Sequence, residues 1–267
     1  MALLTFSASP GVSQEGDAES RPVPERDRGC LFLCGGGKLP DDLLSRFHEL
    51  GGGDQGKLVL IPTASPRADH GDYAPWLPLW QGYSWADIQV VHVQDRSEAD
   101  HDSKLEILRR ATAVWLGGGE QSRLSERLVG TQMEEEIKRL LDRGGVLGGT
   151  SAGAAICSQI MIREGRREPL FGTGFSILSD VIIDQHFTAR RRQERLTRAV
   201  LTHPKLAGLG IDEGTGILFR DGVIEVIGRG DVHWYRAGDV EPEAEFRADA
   251  KWTTGTRVPW SQVVPSR

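Results

Sequence analysis

The 267-residue chain carries 32 Lys and Arg against 38 Asp and Glu, a formal net charge of −6. That balance argues against general binding to nucleic acid or anionic lipid, which needs a surplus of Lys and Arg. Hydrophobic residues make up 39% of the sequence, but no apolar run is long enough to cross a bilayer, so a soluble globular protein is expected and any basic patch must serve a local purpose.

Residues 1–28 mix Ser, Gly, Pro, Glu and Arg without periodicity, and "MALLTF" is too short and too little basic for a signal peptide; a flexible tail is expected there. The remainder, 29–267, is of a size that one α/β domain commonly reaches. Three cysteines, Cys30, Cys34 and Cys157, are too few and too unevenly spaced for a disulfide framework, which fits a reducing cytosol. Cys30 and Cys34 fall on one face of a predicted strand and read as small packed hydrophobes rather than zinc ligands.

Short apolar runs ending in glycine or proline follow: "CLFLCGGG", "KLVLIPTAS", "IQVVHV", "TAVWLGGG" and "GVLGGTS". Each reads as a buried parallel strand. Between them, helical periodicity covers Pro40 to Leu50, Ser103 to Ala111 and Ser122 to Arg143. The alternation predicts an α/β fold, a mostly parallel sheet flanked by helices and wound by right-handed crossovers. Ligands of such sheets bind beyond the carboxyl ends of the strands, so the clusters Gly35 to Gly37, Gly117 to Gly119 and Gly148 to Gly149 should meet around one crevice. The aromatic "DYAPWLPLWQGYSW" reads as a lid, a subunit contact or a packed loop.

Beyond Arg163 the pattern changes. "VIIDQHF" reads as a strand and "RRRQERLTRAVLTHP" as a basic helix stopped by Pro204. The dipeptide Asp221-Gly222 between "GILFR" and "VIEVIG" signals a hairpin, so an antiparallel C-terminal extension of the sheet is expected.

Gly149-Thr150-Ser151-Ala152-Gly153 lies between a predicted strand and a helix, where a nucleophile elbow would place a serine. Its small residues permit a sharp turn, and the Ala152 amide would face a developing oxyanion. A glycine-rich packing loop is the alternative. A serine needs a base and an orienting acid. Of the seven histidines, His186 at the end of an apolar run and His233 in "DVHWYR" are the candidates, with Glu213 serving His186, or Asp212 or Glu213 serving His233. His186 with Glu213 is favoured, because His233 sits in a strand pattern of the peripheral hairpins. Arg190, Arg191, Arg192, Arg195 and Arg198 crowd one segment, which costs stability unless acids or an anionic ligand answer them. Arg190 and Arg192 cannot share a helical face, so part of the segment must be loop or only some of its arginines face a pocket. The sequence offers no metal-ligand cluster, and neither metal nor organic cofactor is expected.

The anchors "GGGK" at Gly35, "IPTAS" at Ile61, "GGGEQ" at Gly117, "GGTSAGAA" at Gly148, "DQHFTARRRQERL" at Asp184 and "GIDEGTG" at Gly210 together resemble the cyanophycinase-like serine exopeptidases, relatives of aspartyl dipeptidase (dipeptidase E). The resemblance runs from about Gly29 to Arg236. It implies a class I glutamine amidotransferase-like fold, a flavodoxin-like three-layer sandwich. It further implies a nucleophile at Ser151, a base at His186, an acid at Glu213 and oxyanion amides at Gly119 and Ala152. Substrate contacts would come from Gln121, Asp184, Gln185, Arg190, Arg192 and Arg195, with Asp184 facing a substrate guanidinium. Glu120 departs from the Asp or Asn usual before that glutamine. The implied protein is a cytoplasmic homodimer that cleaves β-aspartyl linkages, with cyanophycin, a poly-aspartate bearing arginine on each β-carboxyl, as substrate. A dipeptidase on short β-aspartyl peptides, an esterase using His233 and a non-catalytic binding homologue are the other readings.

Overall fold

A computed structural model describes residues 29–238, 246 and 248–264; the expected N-terminal tail lies outside the described residues. In chain order the elements are β1 (Cys30–Cys34), α1 (Asp41–Leu50), β2 (Lys57–Ile61), α2 (Leu77–Gln81), β3 (Asp87–Val90), α3 (Asp102–Arg110), β4 (Ala113–Leu116), α4 (Gln121–Leu128), α5 (Gln132–Asp142), β5 (Val146–Thr150) and α6 (Ala152–Ala155). They continue with β6 (Ile160–Glu164), β7 (Leu170–Thr173), β8 (Val181–Asp184), α7 (Gln193–Thr202), β9 (Ala207–Ile211), β10 (Thr215–Arg220), β11 (Val223–Gly228), β12 (Val232–Tyr235), β13 (Ala250–Trp252), β14 (Arg257–Pro259) and α8 (Trp260–Val263).

The main sheet has eight strands in the order β14-β11-β10-β1-β5-β4-β2-β3. β1 to β5 are mutually parallel, while β10, β11 and β14 extend the sheet antiparallel beside β1. The Asp221-Gly222 hairpin forms as its sequence predicts, with φ of 50° and 70° at the two turn residues. Along the parallel strands, alternate side chains enter opposite cores. Leu31, Leu33, Val59, Ile61, Val114 and Leu116 pack with α3 to α6, whereas Cys30, Phe32, Cys34, Leu58, Leu60 and Trp115 pack with α1 and α2. The aromatic segment supplies that second core. Trp80 is fully buried, 5.0 Å from the Phe47 ring, and Phe47 also meets Trp115 at 4.9 Å.

A second sheet, absent from the sequence reading, has the order β13-β12-β9-β8, and β6 with β7 forms a separate hairpin. The β8-α7-β9 crossover lies in this smaller sheet. The helical stretch expected over Ser122 to Arg143 is two helices. Gly130 adopts φ 76°, and Thr131 accepts from the Glu134 amide while the Glu134 carboxylate accepts from the Gly130 amide, which starts α5 afresh.

Register decides where the site lies. Cys34 stands opposite Thr150, Gly149 opposite Leu116 and Leu116 opposite Ile61, so the loops after β1, β5, β4 and β2 leave one edge at one level. The clusters at Gly35 and Gly117 meet there. Gly148 does not: it lies within β5, where a Cβ would fall 2.3 Å from the Trp115 ring and 2.5 Å from that of Phe47. Gly149 likewise serves packing, since its Cβ would fall 2.3 Å from the Gly153 carbonyl of α6. Among the described residues, no helix is long and apolar enough to cross a membrane.

Candidate active site

Ser151 stands between β5 and α6 with φ 53° and ψ −113°, a conformation that L-residues rarely adopt. Flanking small residues make it possible: Gly153 is so close to β4 that a Cβ would lie 2.2 Å from the Leu116 carbonyl. The Ser151 amide donates to the Cys34 carbonyl at 3.0 Å, and the Ser151 carbonyl accepts from Ala154 and Ala155. Its side chain is thereby aimed out of the strand end.

The chain brings two distant residues to it. His186 Nε2 lies 2.9 Å from Ser151 Oγ, and His186 Nδ1 lies 2.6 Å from Glu213 Oε1. Nδ1 donating to the carboxylate leaves Nε2 as acceptor for the serine hydroxyl. Burial of the imidazole disfavours its charge; the Glu213 hydrogen bond opposes that, and the positive charges of Arg190 and Arg192 reinforce it. The net effect lowers the His186 pKa below its ordinary 6.5, which keeps the ring neutral at pH 7.

The rival pair also exists, in a different place. His233 Nε2 lies 3.2 Å from Asp212 Oδ2, while the Thr188 amide and hydroxyl donate to Asp212 Oδ1 at 3.0 and 2.8 Å. Burial pushes the Asp212 carboxyl up, but the bonds from His233 and Thr188 outweigh it and leave the group below its usual range. This pair holds the turn after β8, whose His186 itself sits at φ 49°. Asp231 completes a group whose ligand atoms lie within 4.8 Å of one another, a His/Asp/Asp cluster that the sequence reading did not foresee. Partners within the chain already meet both carboxylates: Asp212 Oδ2 also accepts from the Asp231 amide, and Lys251 Nζ stands 3.0 Å from Asp231.

Gly119, with φ 148°, follows β4 so closely under the loop after β2 that a Cβ would fall 2.3 Å from the Ala64 carbonyl, and Gly118 lies against Ser151. Ala152 opens α6, where an amide lacks an intrahelical acceptor. Gln121 opens α4, and its side-chain nitrogen donates to the Ile162 carbonyl at 2.9 Å, tying the helix to β6.

The basic segment divides. α7 begins only at Gln193, so Arg190 to Arg192 occupy a turn, which resolves the conflict of spacing between Arg190 and Arg192. Asp184 is 1% exposed and faces this chain's own guanidinium groups rather than an open pocket. Arg195 Nε donates to it at 2.9 Å and Arg195 Nη2 to its other oxygen, while Arg192 Nη1 reaches it at 3.1 Å. Arg192 also donates to the carbonyl of Gln185 at 2.6 Å and to its side-chain oxygen. Burial lowers the Arg192 guanidinium to about 10 against the pull of Asp184. Asp184, Gln185, Arg192 and Arg195 therefore form an internal network, where the sequence reading expected a surface awaiting substrate. Arg190 is exposed.

Removing one member of a buried charge network leaves the others uncompensated. Asp184→Ala should lower unfolding stability by about 3–5 kcal/mol in urea denaturation at pH 7. A loss under about 1 kcal/mol would mean that Arg192 and Arg195 are solvated and free.

The profile of peptidase family S51 matches residues 31–227. The chain is 35% identical over 217 residues to a cyanophycinase of Synechococcus elongatus, covering 77% of this chain and 67% of that protein. It is 36% identical over 201 residues to a cyanophycinase of Geminocystis herdmanii, covering 72% and 73%. Among solved structures, a peptidase from an acI-B1 actinobacterium superposes with a TM-score of 0.69 at 25% identity, covering 87% of this chain and 97% of that one. The matched span includes the Ser151, His186 and Glu213 constellation, and the chain belongs to peptidase family S51, as a serine-type peptidase.

Proposed function

We propose that this peptidase is an exopeptidase that shortens cyanophycin by β-Asp-Arg units, with Ser151 as nucleophile, His186 as base and Glu213 as the acid orienting it. The observation that carries the reading is the single imidazole bonded to an alcohol at 2.9 Å and to a carboxylate at 2.6 Å. The 35% identity to a protein named cyanophycinase supports the choice of substrate.

In this mechanism His186 Nε2 takes the Ser151 proton as Oγ attacks a substrate carbonyl, and the Gly119 and Ala152 amides stabilise the tetrahedral oxyanion. Release of intact β-Asp-Arg requires that the carbonyl attacked be that of the aspartate backbone, since arginine leaves still joined to the β-carboxyl. Collapse of the intermediate breaks the backbone C–N bond, and His186 returns its proton to the departing amine. Water, deprotonated by the same ring, then hydrolyses the ester on Ser151. Glu213 stabilises the imidazolium that forms in each half of the cycle. Arg190, beside His186 and exposed, is the arginine best placed to meet a substrate carboxylate. Asp184 and Gln185 hold Arg192 and Arg195 in place beside it. Three free cysteines support a cytoplasmic location, and a homodimer is carried over from the family likeness.

Incubation of insoluble cyanophycin should release β-Asp-Arg with the wild type and with His233→Ala, whereas Ser151→Ala and His186→Ala should each lose roughly 10⁴-fold or more in kcat. Turnover lost in His233→Ala but kept in His186→Ala would transfer the role of base. Hydrolysis of short β-aspartyl peptides without polymer breakdown would make the protein a dipeptidase, and no hydrolysis of either would make it a binding homologue.

Two further outcomes follow from the geometry. A Cβ on Gly36 would fall 2.3 Å from His186 Cε1, so Gly36→Ala must displace the ring, and kcat should fall by about 10² or more, measured on the same polymer. Because the base must be neutral and its pKa is lowered, kcat/KM should rise with pH to a plateau with an acid-limb midpoint below 6.5. A midpoint above 6.5 would contradict the stated balance of burial and charge.

A further inference from the structure

The charges around α7 and the β6-β7 hairpin do not cancel evenly. Glu164 pairs with Arg163, Glu168 with Arg198, and Glu194 with both Arg167 and Arg198. Asp184 takes Arg192 and Arg195. Three arginines of the region, Arg166, Arg190 and Arg191, have no acidic partner within 4.0 Å among the described residues, and all three are exposed. These three line one open cleft of about 510 Å³. An acidic protein thus gathers its uncompensated positive charge of this region into a single concavity.

Arg191 adds a second observation. It holds φ 51°, where glycine or asparagine would be cheaper, and its amide donates to the Thr188 carbonyl at 3.0 Å to close the turn. A long cation is kept at a backbone position that disfavours it. Across the cleft, Arg166 stands on the tip of the hairpin, and Arg195 Nη1 fixes that tip by donating to the Gly165 carbonyl at 2.7 Å. α4 fixes its strands through Gln121 on β6 and through Ser125, whose hydroxyl donates to the Thr173 carbonyl at 2.6 Å. The two walls are therefore built before any ligand arrives. The cleft adjoins His186, because the Arg190 amide donates to the His186 carbonyl at 2.9 Å.

We propose that Arg166 and Arg191, together with Arg190, form a binding cleft for a polycarboxylate chain and grip the carboxylates of units beyond the one at Ser151. Only the direction of the chain, running away from the serine, rests on the peptidase reading. Guanidinium forks on opposed walls suit carboxylates repeated along an extended backbone, and three like charges left close together are relieved when such a chain binds. A chain that offers several carboxylates can engage both walls at once, so the cleft would favour polymer over a single dipeptide unit.

The test measures binding of soluble poly-L-aspartate to the full-length Ser151→Ala protein by calorimetry at low and raised salt. Arg166→Gln and Arg191→Gln should each weaken binding roughly fivefold, and the double variant at least about tenfold, with the effect fading as salt rises. Arg163→Gln and Arg167→Gln remove equal charge from paired positions of the same hairpin and should change binding by less than about twofold. Equal losses in all four would show attraction by net charge alone, and no loss in the first two would show an idle cleft; either result overturns the proposal. Because binding needs no turnover, a protein that releases no β-Asp-Arg from cyanophycin would sink the functional reading and leave this one standing. In an active enzyme, Arg166→Gln should raise KM for soluble cyanophycin severalfold while kcat on that polymer falls by less than about twofold.

Discussion

Three consecutive carbonyls hold the site together. Those of Cys34, Gly35 and Gly36 accept the amides of Ser151 at 3.0 Å, His186 at 2.6 Å and Gly214 at 2.9 Å. Planar peptides in one short stretch thus act as a common ruler for three segments that the chain supplies far apart. Side chains are excluded from the glycines at and beyond this ruler because the space is taken. A Cβ on Gly35 would meet the Asp212 carbonyl at 2.2 Å, one on Gly36 the His186 ring, and one on Gly37 the Glu213 side chain at 2.8 Å. The positive φ at Ser151 and His186 persists because each residue's amide is held on this frame.

A second frame fixes the other wall. Asp69, on the turn after β2, accepts from Arg123 and Arg127 of α4 and from His92 at 3.0 Å, and these guanidinium groups hold its carboxyl well below the usual range. Burial lowers the His92 pKa despite the Asp69 contact, so the imidazole is a neutral donor in this network. Arg123 Nε also donates to the Thr63 carbonyl at 3.3 Å, and the adjacent Ala64 carbonyl accepts from Glu120 at 2.8 Å. The loop that presents Gly119 is therefore anchored from beneath by charge and from the side by backbone. Such preorganisation would serve the oxyanion role proposed for Gly119, because donors that are already oriented need no rearrangement as charge develops.

The parallel half of the sheet was legible because its strands are buried on both faces and read as continuous apolar runs bounded by glycine. Local conflicts were not. Helical periodicity runs through Gly130 and Thr131, so the break between α4 and α5 depends on a cap that the pattern of apolar residues does not reveal. "IQVVHV" reads as one strand, yet β3 ends at Val90 and His92 turns toward Asp69. "VIIDQHF" also stops early, at Asp184, because His186 must leave the extended region for its amide to reach Gly35. The small sheet was hidden for another reason. β9 and β10 are separated by a few residues, and nothing in so short a link states that the chain leaves one sheet for another. The partition of the arginines was equally illegible, since it depends on Asp184 projecting into the network from the end of β8 while Arg192 and Arg195 reach back from eight and eleven residues away.

The choice between two adjacent acids turns on register. Asp212 and Glu213 follow β9 directly, and their side chains leave in different directions. One goes to His233 and the Thr188 turn, the other to His186. Each imidazole thus has its own carboxylate, and what separates them is the company of the ring. His233 is committed to β12 and lies 5.0 Å from the Phe187 ring, with its backbone paired opposite Gly210. His186 stands on a turn whose backbone is clamped to Gly35 and whose ring fits only because Gly36 has no side chain. A slip of one residue of β9 against β8 and β12 would exchange the two acids and leave His186 without its partner. The Asp212 network prevents that slip by fastening β12, the turn after β8 and the end of β9 at a single carboxylate.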